Sequence, residues 1–185
     1  SVTIEGDSQT TGIKSDAQAN VDILNSAINN TDIGVDADDA DASFNVSNTE
    51  VTNSATTAID VEDLGAAVKI DSGTSIDQAP TGIDVAGGSG TTYDISGITV
   101  NGTTNAGAAD GGAGIFVESL GNSNDAVNVT DSTFTNNQEA LNVSDNGATA
   151  GSPTEQVNIH FNTFESNVYG VGIGDLGKGT DGNDN

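Results

Sequence analysis

Residues 157–173 read VNIHFNTFESNVYGVGI, and the order of apolar and polar side chains within them decides the fold. Val157 and Ile159 bracket Asn158, Phe164 stands between Thr163 and Glu165, and Gly170 opens a second alternation through Val171, Gly172 and Ile173. Apolar residues two apart belong to strands, whose successive side chains face opposite ways, whereas a helix would repeat them every three or four positions. The Asn, Gly, Ser and Thr between the bursts oppose helix and favour turns.

Working outward, the pattern occurs six times, with a partial copy at the start of the chain. The first apolar column is Val21, Phe44, Val68, Tyr93, Val127 and Val157, and the second is Ile23, Val46, Ile70, Ile95, Val129 and Ile159. A turn follows, containing Asn25, Asn48, Ser72, Gly97, Asp131 or Asn162. The third column is then Ile28, Val51, Ile76, Val100, Phe134 and Phe164. A last strand supplies Val35, Ile59, Ile83, Ile115, Leu141 and Val171, then Ala37, Val61, Val85, Val117, Val143 and Ile173. It opens each time on a small residue, Gly34, Ala58, Gly82, Gly114, Ala140 or Gly170, as a tight bend against a neighbouring coil requires. Repeats of 23 to 34 residues predict about seven stacked coils, each of three short strands with the five columns inside. In the first coil Val2, Ile4, Gly12 and Ile13 match the two outer strands, and the middle strand is missing. Asn25 and Asn48 are expected to form a ladder of side-chain amides between coils.

This pattern, seen in Val157-Asn158-Ile159 through Phe164 to Gly170-Val171-Gly172-Ile173, resembles the right-handed parallel β-helix repeat family, the pectin-lyase-like superfamily. That group includes pectin-degrading enzymes, periplasmic copper-loading proteins, phage tail spikes and many secreted surface proteins. The resemblance covers residues 2 to 173 and implies an all-β fold, a single right-handed solenoid over residues 1–173. The handedness also follows from the crossover rule for parallel strands. Residues 174–185 read as a polar tail or linker rich in Gly and Asp. Because the fold hosts unrelated activities, it implies no particular function. The pectin hydrolases carry Gly-His-Gly and Arg-Ile-Lys segments, and this chain has neither.

The chain has 28 acidic residues against three lysines and no arginine, a formal charge of −25. Such a charge opposes binding to nucleic acid or to an anionic membrane surface, both of which need clustered cations. It also repels itself, so stability in salt or with bound cations is expected. With no Cys or Met, disulfides and thiolate metal sites are absent. No apolar run approaches the ~18 residues of a membrane-spanning helix. A chain opening on Ser1 is expected to have been processed or cut from something longer.

Given this register, the outward residues of the last strand stack as Lys14, Asp36, Asp60, Asp84, Phe116, Asn142 and Gly172. Neighbouring strands lie about 4.8 Å apart, so each adjacent carboxylate pair repels by about 1 kcal/mol in water and about 3 to 4 kcal/mol at an effective dielectric of 20. A hard cation such as Ca²⁺ held by Asp36, Asp60 and Asp84, with Asp38 and Asp39 beside them, is one way to compensate. A shared proton or diffuse counter-ions are the others. No residue carries a recognisable catalytic motif.

His160 has no second His or Cys with which to build a transition-metal site and reads as a surface residue. An ion pair between Lys69 and Asp94 in the next coil is expected. Ser75, Thr99, Thr133 and Thr163 make a hydroxyl face, and Asn29, Asn45, Asn101, Asn128 and Asn142 lie in Asn-x-Ser/Thr glycosylation sites. The loops at 101–113 and 144–155 break the repeat, and Phe116 is expected to stand outward beside the first. These features predict a non-catalytic extracellular or cell-surface module with a structural or adhesive role. Its expected association is end to end, with a second chain or a longer parent protein. The alternatives are a β-helix that binds or hydrolyses a glycan through the Asp36, Asp60 and Asp84 face, and a virion spike or fibre.

Overall fold

The computed structural model describes residues 2–15, 20–38, 43–62, 67–87, 90–104, 112–117, 126–143 and 156–173. Its opening coil is partial: β1 (Thr3–Glu5) and β2 (Ile13–Ser15). Six full coils follow, beginning with β3 (Val21–Leu24), β4 (Ala27–Asn29) and β5 (Ile33–Asp38), then β6 (Phe44–Ser47), β7 (Glu50–Thr52) and β8 (Thr57–Glu62). The third comprises β9 (Val68–Asp71), β10 (Ser75–Asp77) and β11 (Thr81–Ala86), and the fourth β12 (Thr92–Ser96), β13 (Thr99–Asn101) and β14 (Ala113–Val117). The last two are β15 (Ala126–Thr130), β16 (Thr133–Thr135) and β17 (Glu139–Val143), then β18 (Gln156–His160), β19 (Thr163–Glu165) and β20 (Tyr169–Ile173).

Each strand pairs in parallel with its counterpart one coil away, which produces two seven-stranded sheets and one six-stranded sheet. This is a parallel β-helix with three strands per coil. Parallel pairing between coils leaves one side chain of every alternation inside, and Val35, Val46, Ile59, Ile70, Ile83, Ile95 and Ile115 are fully buried there. Each such side chain contributes roughly 1.5–3 kcal/mol by leaving water. The larger rings keep register: Tyr93 is buried and donates its hydroxyl to the Gly87 carbonyl at 3.0 Å, while Phe134 stacks on Phe164 with centroids 5.4 Å apart.

The small residue at the third bend has a direct cause. A Cβ added at Gly34 would lie 2.5 Å from both the Ala58 carbonyl oxygen and Val51 Cγ1. Two details differ from the sequence reading. Ile4 pairs with Ile28, so among the described residues the partial coil holds the second and third strands rather than the first and third. Thr130 pairs with His160, which puts Phe161, not Asn162, at the turn position shared with Asp131. Sequence periodicity misplaced both because each lies where a repeat is shortened or where an apolar residue stands outside the core.

Candidate functional site

The third-strand sheet places its outward residues in one unbroken column. Lys14 faces Asp36, Asp36 faces Asp60, Asp60 faces Asp84, Asp84 faces Phe116, and Phe116 faces Asn142. Asp38 lies in the adjoining column opposite Glu62, and Asp39 falls outside the described residues. All three stacked aspartates are half-buried. Lys14 Nζ reaches Asp36 Oδ2 at 3.0 Å and offsets the top of the column. Among the described residues, no group of three or more His, Cys, Asp or Glu side chains is arranged to hold a metal ion. His160 is exposed.

Phe116 corrects an expectation. It keeps its outward register yet is only 3% exposed, and it stands apart from the inner core cluster. The loop segments 105–111 and 144–155 and the tail 174–185 lie outside the described residues.

The other two faces solve the stacking of carboxylates differently, and sequence reading missed their solution. On the first-strand sheet Asn45 Nδ2 donates to Asp22 at 3.2 Å, Asn128 Nδ2 donates to Asp94 at 2.6 Å, and Asn158 Nδ2 donates to Asn128 at 2.9 Å. On the second-strand sheet Asn29 Nδ2 donates to both Glu5 carboxylate oxygens at 3.0 Å, and Asn101 Nδ2 donates to Asp77 at 2.5 Å. Asn29 and Asn101 in turn accept from Thr52 and Thr135, at 2.8 and 3.0 Å. A carboxylate accepts and an amide donates, so an asparagine one coil below an acid replaces repulsion by a charge-assisted hydrogen bond. The signal was present as acids followed one repeat later by asparagine, but it shows only once the register is known.

The same bonds bear on glycosylation. With Asn142 Nδ2 donating to Glu139 at 2.8 Å, all five sequon asparagines give their amide to a carboxylate. A glycan on any of these nitrogens would have to displace that bond.

Lys69 departs from expectation. It pairs with Asp71 of its own strand at 2.7 Å and not with Asp94, although Asp94 is its neighbour in register. The Lys69 ammonium, followed by a hydrogen bond from Ser47, holds the Asp71 carboxyl below its ordinary value. The hydrogen bond with Asp71 raises Lys69 in return. The Asn25–Asn48 ladder forms as expected, with Nδ2 to Oδ1 at 2.7 Å. The hydroxyl face is also in register, Ser75 to Thr99 to Thr133 to Thr163.

These faces belong to a solenoid of the parallel β-helix class, built on one inward code and three outward columns. No family model matches the chain, and neither does any curated protein or solved structure.

Proposed function

We propose that the chain is a non-catalytic structural or adhesive module of an extracellular or cell-surface setting, acidic and stabilised by salt or by hard cations such as Ca²⁺. The observation that carries the reading is how the outward polar side chains are used. From Glu5 to Asn158 they bond coil to coil, stiffening a rod along its length. A surface spent on its own ladders suits a spacer or scaffold. Asp36, Asp60 and Asp84 stack directly with no asparagine between them, beside the acid pair Asp38 and Glu62, and counter-ions would collect there.

Screening the chain against glycan arrays and glycoside substrates tests this. The expected outcome is no turnover, and reproducible hydrolysis abolished by Asp60→Asn would overturn it.

A further inference from the structure

Five of the seven large hydrophobic residues exposed among the described ones lie in the last coil: Phe161, Phe164, Val168, Tyr169 and Val171. Residues 156–173 contain one carboxylate, Glu165, where the chain average would give almost three, and they contain the chain's sole histidine. The last described coil of a strongly acidic rod is therefore apolar and nearly neutral.

Phe161 sharpens the point. Its φ is +56°, and in the coils above it the left-handed residue of this turn is Asn25, Asn48, Gly73, Gly97 or Asp131, residue types that tolerate that region. A bulky phenylalanine there is an outlier. It is also 86% exposed, so an isolated coil gains neither backbone ease nor burial from it. Beside it β18, β19 and β20 each end a sheet, leaving one edge of each with no further strand among the described residues.

We propose that this coil is the docking face for a second copy of the chain, C-terminal coil against C-terminal coil about a two-fold axis. The inference deepens the structural-module reading and rests on it. Three observations select this occupant. Two chains of charge −25 can approach most closely where each is nearly neutral. The 18 residues of the last coil are close to the roughly 20–30 per side of a standard interface. Head-to-tail stacking fits poorly, since it would set β1 beneath β19 and place Glu5 against Glu165 in one outward column. A two-fold contact is self-complementary and closes at two copies, so it buries the apolar coil without growing a filament.

Sedimentation equilibrium of the full chain in about 1 M NaCl, where charge repulsion is screened to roughly 3 Å, decides the matter. A monomer–dimer equilibrium that stops at two is expected. Phe161→Asn places a residue suited to positive φ at the turn, so it should keep or raise the melting temperature while weakening the dimer by roughly tenfold or more. Val168→Asp should weaken it likewise, and Val2→Asp at the opposite end should not. A monomer at all concentrations, open-ended oligomers, or sensitivity to Val2→Asp would overturn the proposal. If Val168→Asp fails to fold, Phe161→Asn still carries the test. Failure here leaves the substrate screens untouched, and turnover in those screens leaves the sedimentation result untouched.

Discussion

Asn137 shows how one side chain closes a turn that belongs to another coil. It is 1% exposed, and its Oδ1 accepts from the Thr103 backbone N–H at 3.0 Å while its Nδ2 donates to the Val100 carbonyl at 3.2 Å. Its own N–H is taken by Asn167 Oδ1 at 2.9 Å, and Asn167 Nδ2 donates to the Phe134 carbonyl at 2.9 Å. Asn162 does the same for Ser132 and Val129 at the other turn. An amide can do this because it carries a donor and an acceptor side by side, taking the N–H of a turn residue and the carbonyl of the strand before it. Asn137→Ala would leave the buried Thr103 N–H without its acceptor at roughly 1–3 kcal/mol. Chemical denaturation should show a loss of about that size, whereas Asn45→Ala on the outer face should lose less than about 1 kcal/mol. Equal losses would remove the distinction between the buried and outer ladders.

At the scale of the strand, register was legible in the sequence and side-chain pairing was not. Alternation fixes which residues point inward, and five aligned columns fix which coil neighbours meet, so the Lys14-to-Gly172 column follows from the sequence alone. Lys69 illustrates what escapes. Its outward neighbours are Asn45 and Asp94, but Asn128 already donates to Asp94 and Asp71 lies two residues along the same face. A long flexible ammonium chooses among such partners by local geometry, which periodicity does not encode. The deep amide ladder of the later coils escaped for a related reason: Asn reads as a turn former whether it points out or in. Asp71 sits below its ordinary 3.8, so the stability gained from the Lys69 pair is present above that value and lost as pH falls through the lowered one. Lys69 sits above 10.5, so the gain is present below 10.5 and lost as pH rises through the raised value. Carboxyl NMR titration should find the Asp71 midpoint below 3.8 and shift it upward in Lys69→Gln, only partway because Ser47 still donates. An unmoved midpoint would dismiss the ion pair.

For the whole molecule the governing quantity is the charge of −25 on a rod whose apolar interior is continuous. Amide ladders neutralise repulsion locally on two sheets, but on the third Asp36, Asp60 and Asp84 follow one another directly. Salt acts on what remains, since the screening length falls from about 10 Å at 0.1 M to about 3 Å at 1 M. The melting temperature is therefore expected to rise with NaCl. Asp60→Asn separates the column from the general field. It removes two adjacent repulsions of about 1 kcal/mol each in water and installs the acid–asparagine order seen at Asp22–Asn45 and Asp94–Asn128. Calorimetry should show this variant more stable than the parent at low salt, with the difference closing as NaCl increases. Calcium adds a further arm: if the aspartates coordinate it, millimolar Ca²⁺ raises the melting temperature beyond NaCl of equal ionic strength, by linkage to the folded state, and Asp60→Asn forfeits that increment. Equal responses to the two salts in both proteins would assign the column to screening alone, and a low-salt loss of stability in Asp60→Asn would refute repulsion as its dominant feature.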